Sequence, residues 1–328
     1  MFNRNDPFSM EISDSSNKII KQLVINDELL IFTTDGIYKV LTADEIDSEN
    51  SYADTRHTHE KLFNIGTSSI YVARMIIQFE YIMKTISFET SNLLISHIWK
   101  MNKLLLNCYV PVEYLKKNNE IIKIECNEII EKYKHNSTIP ALPQIEELEA
   151  KTKDFFTTGK KFLIELFKIF NLLFQMPLNK GEAHFDNHLT WITENFGKEH
   201  SLSVLLNQDI NWLRILSECR NAIEHEGDGQ CLTLNNFRLS AGNKFSEPTW
   251  IYDLSKKRLG ISLESSLISD IDDLLHNMLY LFEDIMLIII QEKMKINNFF
   301  HLYKIKEPQL DIDCPFIYAI ALKKTVNK

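Results

Sequence analysis

The spacing of hydrophobic positions changes along the chain. Between residues 19 and 42 the runs Leu23-Val24-Ile25, Glu28 to Phe32 and Ile37 to Thr42 are rich in β-branched and aromatic residues. Asn26-Asp27 and Asp35-Gly36 stand between them as turn signals, so a small β meander is predicted. Thr42 to Thr67 is polar and reads as loop. From Ser69 apolar residues recur three and four apart through Ile70, Ile77, Tyr81 and Ile86, the spacing of a helix. Two further helices are expected, over 91–107 and, permitted by Pro111, over 112–134. The segment 135–144 holds Pro140 and Pro143 among small polar residues. It is the expected boundary between an N-terminal β/helical region, 1–140, of unknown role and a helical domain, 141–328.

The C-terminal part reads as four helices, over about 146–175, 184–196, 208–226 and 267–295, with Gly197 and Gly227 as stops. Between the last two, Cys231 to Leu239 and Thr249 to Leu254 flank Ala241-Gly242-Asn243, the pattern of a β-hairpin insertion. A short strand is expected at 316–322. The fold class is therefore mainly α: a β meander with helices, then a four-helix up-and-down bundle with a hairpin before its last helix.

Composition narrows the function classes. With 45% hydrophobic and 25% charged residues in 328, the chain can bury a sizeable core. Its 9 glycines and 8 prolines are few, which argues against a Gly-rich nucleotide-binding fold. A net charge of −9 argues against general nucleic-acid binding but leaves room for a local basic patch. Cys108, Cys126, Cys219, Cys231 and Cys314 are dispersed and show no CxxC spacing, so reduced thiols in a cytoplasmic protein are expected, with no zinc framework. The N-terminus has no signal-peptide pattern. The most apolar run, Met278 to Gln291, is broken by Glu283 and Asp284 and is too short to span a bilayer, so no membrane association is expected.

The candidate chemistry lies at the end of the third C-terminal helix, in Arg220-Asn221-Ala222-Ile223-Glu224-His225. On a helical wheel Trp212, Ile215, Leu216, Cys219 and Ile223 form an apolar arc expected to face the core. Arg214, Glu218, Asn221 and His225 share the opposite stripe. Arg220 is about 140° from His225, so Arg220's reach, a distorted last turn or a second subunit must bring the two together. The helix dipole favours a charged imidazolium at His225. A histidine near neutrality beside a guanidinium suits phosphodiester chemistry. His225 moves the proton of an attacking 2′-hydroxyl or of the leaving oxygen, Arg220 stabilises the phosphate charge, and Asn221 orients the ring or holds an oxygen. The scheme calls for no metal or cofactor. The competing structural reading pairs Arg220 with a nearby carboxylate and leaves His225 as a helix cap.

Arg-polar-x3-His at the end of the third helix resembles the Rx4–6H motif of the HEPN superfamily, over roughly residues 146–296. The resemblance implies a metal-independent endoribonuclease of a toxin–antitoxin or antiviral defence system, with RNA as substrate and Arg220, Asn221 and His225 as the catalytic set. It also implies a homodimer that joins two motifs in one composite site, and an antitoxin or defence component as partner. The hairpin insertion departs from the simplest HEPN domains. The alternative from another class is a non-catalytic helical dimerisation or interaction module.

Weaker signals accompany this one. Residues 151–180 hold six lysines against two acids, a local excess of four positive charges that could guide RNA, with Lys160, Lys161 and Arg214 as candidate contacts. His184 and His188 are four apart around Asp186, but Phe185 excludes the HExxH pattern, so a loop or helix-start role is favoured over a metal. Arg56-His57-Thr58-His59-Glu60 alternates ligand types in an expected loop and has no third partner. Glu194 and Asp209 are candidate flanking groups. Trp191, Trp212 and Trp250 are expected to pack rather than to stack on bases.

Overall fold

The computed structural model describes residues 17–86, 90–177, 185–224, 231–253, 264–296, 299–306 and 309–323. Helix accounts for 56% of them and strand for 19%, so the protein is mainly α with a small N-terminal antiparallel sheet. The chain divides into two compact units, and the first is discontinuous: residues 1–102 join 286–328, whereas 103–285 form the second. The expected boundary at 135–144 thus falls inside the second unit.

In the first unit β1 (Ile19–Ile25), β2 (Glu28–Thr33), β3 (Ile37–Leu41) and β4 (Thr58–Phe63) form one antiparallel sheet in sequence order. Asn26 and Asp27 take φ of 53° and 64°, the left-handed pair of a tight hairpin turn. Leu30, Phe32 and Ile37 are fully buried. The polar stretch from Thr42 to Thr67 is not all loop. It holds β4 and a short helix α1 (Ala43–Ile46), whose N-cap Thr42 and Glu45 form a reciprocal capping box. Thr-x-x-Glu was the signal in the sequence.

Ser69 caps α2 (Ile70–Val72), which runs through a π-helical turn, Ala73–Ile77, into α3 (Gln78–Thr85). Buried Gln78 accepts hydrogen bonds from the backbone N–H of Ile317 and Tyr318, both at 2.8 Å. It thereby ties the helix to a hairpin of β10 (Phe300–Lys304) and β11 (Tyr318–Leu322). The strand expected at 316–322 is β11, and its partner β10 escaped the sequence reading. The two helices expected around Pro111 are one, α4 (Ser91–Tyr133), with the proline inside it. A proline removes one backbone donor without ending a helix whose neighbouring turns are packed, and Leu105, Leu106, Val112 and Leu115 are all fully buried.

In the second unit α5 (Leu148–Phe174), α6 (Phe185–Phe196), α7 (Ser201–Glu224) and, up to Ile285, α8 (Leu267–Ile296) match the four expected helices. α7 starts seven residues earlier than expected, with the His200 ring accepting from Leu202 N–H at 3.2 Å. The later part of α4 is a fifth helical member, linked to α8 by Lys116–Asp272 at 3.1 Å. β5 (Cys231–Asn235), β8 (Thr249–Asp253) and β9 (Glu264–Ser266) form a three-stranded sheet. β6 (Arg238–Ser240) and β7 (Lys244–Ser246) pair across the expected Ala241-Gly242-Asn243 turn. Buried Trp250 stacks on Phe156 at 5.4 Å and donates to Asp270 at 2.6 Å, fixing the sheet to α5 and α8.

Candidate functional site at the end of helix α7

Helix α7 packs against α5, α6 and β5. The approach to α5 is close at Gly159, where an added Cβ would stand 3.3 Å from Leu216 Cδ1 and 3.7 Å from Met278 Sδ. The missing side chain lets α7 and α8 come near the α5 backbone. It also sets the neighbouring Lys160 against α7.

The buried positions of α7 revise the wheel. Leu206, Ile210, Leu213 and Leu216 lie in the core, whereas Trp212, Ile215 and Ile223 of the expected arc are only half-buried. Leu206, Leu213, Ser217 and Arg220 follow spacings of seven, four and three, so Arg220 extends the stripe that meets α5 and α6. Near its end α7 is covered on the other side too, where β5 packs and Cys219 and Ala222 are buried. The expected free polar face is therefore half-covered: Arg214, Glu218 and Asn221 are all of intermediate exposure. A wheel assumes one buried side, and a helix enclosed by helices and a sheet has more than one.

The described part of α7 ends at Glu224. His225, the next residue, lies outside the described residues, as do His184 and Lys180. Arg220 forms an ion pair with Glu224 at 2.6 Å, the two side chains being 30% and 35% exposed. Its other terminal nitrogen donates to Asn221 Oδ1 at 3.3 Å. The competing structural reading of Arg220 is thus present in this arrangement, as a pair still open to solvent.

Lys160 completes the group. Its Nζ donates to Ser217 Oγ at 3.0 Å and sits 4.5 Å from the centre of the Phe185 ring. Burial pushes the Lys160 ammonium down to about 8; the Arg220 charge adds to the fall and Glu218 opposes it. Two cations on facing helices therefore share a half-buried position. The sequence offered Lys160 as a candidate RNA contact within a basic run but did not place it beside Arg220. The signal that would have singled it out is Gly159, the small residue before it.

The other candidates are dispersed. Arg214, an expected RNA contact, pairs with Asp186 of α6 at 2.5 Å and so links the two helices. Lys161 is exposed. Lys151, Lys153 and Lys168, three of the six lysines of the basic run, pair with Glu147, Glu149 and Glu165. His188 is buried with its ring 4.6 Å from that of Phe167. His57 accepts from Ala43 N–H at 3.0 Å, and His59 packs edge-on against Tyr38. Among the described residues no group of three or more metal-ligating side chains converges. Glu194 is exposed. Burial raises the Asp209 carboxyl, about three turns before Arg220. Neither joins the site. A cavity of about 270 Å³ lies beside the last turn of α7, between Ala222, Ile223, Leu232 and Leu234 and the Glu149–Lys153 pair.

Burial raises the described thiols, Cys314 to about 12, with Cys108, Cys126 and Cys219 shifted in the same direction. No described helix is long and apolar enough to cross a membrane. Comparison with protein-family models, curated proteins and solved structures yields no match.

Proposed function

We propose that the helical unit is a metal-independent endoribonuclease of HEPN type, its α5–α8 forming the up-and-down bundle that carries the Arg220-Asn221-x3-His225 motif. The observation that carries this reading is the seating of Lys160 on Ser217, one turn before Arg220, where the Arg220 charge acts on it. Two like charges near one another in a half-buried position favour an anion between them. The motif places His225 one residue beyond the described helix. In the proposed reaction His225 takes the proton of a ribose 2′-hydroxyl. The oxygen attacks the adjacent phosphorus, and the bond to the 5′-oxygen breaks as that oxygen takes the proton back from the imidazolium. The products are a 2′,3′-cyclic phosphate and a 5′-hydroxyl. Arg220 leaves Glu224 to stabilise the phosphate charge, which is worth about 3–4 kcal/mol for one well-placed donor. A homodimer supplies a second copy of the motif, and the setting is a toxin or antiviral defence system in the cytoplasm, with an antitoxin or defence component as partner.

Purified protein incubated with total RNA in EDTA tests this. Cleavage is expected from the wild type and loss of it from His225→Ala and Arg220→Ala with unchanged unfolding midpoints. Activity that survives in both variants, or that requires a divalent metal, overturns the reading. The Arg220–Glu224 pair favours the second reading, a non-catalytic helical interaction module. RNA left intact at high protein excess, by a protein that is dimeric in solution, supports it.

A further inference from the structure

Resting on that reading, we propose that Lys160 is a second phosphate-binding group of the Arg220 site, gripping an RNA phosphodiester only while protonated, so that RNA binding weakens as the pH rises. Lys160 Nζ is fixed between Ser217 Oγ, at 3.0 Å, and the Phe185 ring, at 4.5 Å. Ser217 is three residues before Arg220, so the ammonium and the guanidinium lie along one stripe of α7.

The charges that act on Lys160 are Arg220 and Glu218, both of α7. The titratable groups nearest in sequence to its contacts Ser217 and Phe185 and to Lys160 itself are Arg214 and Glu224 on α7, Asp186 and His188 on α6, and Lys161 and Glu165 on α5. Asp186 is engaged by Arg214, Glu224 by Arg220 and Glu165 by Lys168. Of the charges that act on Lys160, Arg220 disfavours its protonation more than Glu218 favours it. A phosphodiester placed against both cations reverses that balance: it favours the protonated form and draws a proton onto Lys160. The ammonium is present below about pH 8 and lost above it, so the free site titrates near physiological pH, where an ordinary lysine does not.

The test uses the full chain and a 2′-O-methyl oligoadenylate, which keeps the phosphodiester but lacks the attacking hydroxyl. Binding is followed by fluorescence anisotropy between about pH 7 and 9.5, a window that brackets the titration. Wild-type affinity is expected to fall about tenfold across it, the worth of one charge-assisted hydrogen bond. Lys160→Gln is expected to bind weakly at every pH. Lys160→Arg, whose charge does not titrate here, should restore binding and remove the pH step. Absence of binding at any pH, wild-type affinity in Lys160→Gln, or an unchanged pH step in Lys160→Arg overturns the proposal. Lys160-dependent binding without RNA cleavage leaves this proposal standing and removes the nuclease. Cleavage with binding indifferent to Lys160 does the reverse.

Discussion

Replacing Glu224 by Gln keeps the side-chain length but takes a negative charge from the guanidinium it holds at 2.6 Å. The stability cost is small. An exposed pair one turn apart contributes about 0.3–0.5 kcal/mol. Arg ahead of Glu is also the less favourable order on a helix. An acid in the last turn opposes the helix dipole by about 0.3–1 kcal/mol, so the two effects nearly cancel and the urea midpoint should hold. The effect on RNA is larger and of known sign. Two unit charges about 4 Å apart interact by about 1 kcal/mol in water and about 4 kcal/mol near a protein surface. With the side chains 30% and 35% exposed, the lower figure applies, and releasing Arg220 should tighten 2′-O-methyl RNA binding roughly fivefold. Anisotropy measures the binding, and a 5′-labelled RNA measures cleavage alongside it. The gain should vanish when Arg220→Gln is added. Unchanged or weaker binding in Glu224→Gln, or a gain that persists without Arg220, would refute the idea that Glu224 occupies the place of a phosphate.

Three further predictions concern the scaffold. A Cβ on Gly66 would stand 2.2 Å from the Thr33 carbonyl oxygen, so Gly66→Ala should cost about 3 kcal/mol or more by urea unfolding, and an unmoved midpoint would contradict that contact. Gln78→Leu strands the N–H groups of Ile317 and Tyr318 at roughly 1–3 kcal/mol each; hydrogen exchange at those two amides should accelerate, and retained protection would show that the β10–β11 hairpin does not depend on the clamp. Cys108, Cys219 and Cys314 should resist a thiol reagent at pH 8 until the chain is denatured, because burial keeps them protonated; mass spectrometry of labelled peptides reads this, and fast labelling of any of the three in the folded protein counts against its burial.

What the sequence made legible was local. The Asn26-Asp27 and Ala241-Gly242-Asn243 turns, Gly197 after α6 and the long apolar repeats of α5 and α8 each act over a few residues, and each element appears where those signals place it. Errors arose where distant packing decided the outcome. Pro111 reads as a helix start, but buried residues on both sides carry α4 through it. β4 is exposed along most of its length and is made a strand by pairing with β3, which no hydrophobic pattern records. At the candidate site the residue types Arg220, Asn221 and His225 were visible, but their surroundings were not. A wheel cannot show that β5 covers the back of α7, that Glu224 engages Arg220, or that Gly159 brings Lys160 across from α5.

The discontinuous first unit has a consequence for biogenesis. Its sheet is made early and its closing hairpin late, with the whole helical unit translated in between. Residues 103–285 therefore leave the ribosome while Gln78 still waits for the amides of Ile317 and Tyr318. A chain cut short after α8 would retain every described side chain around Lys160 and Arg220 while leaving the first unit unfinished.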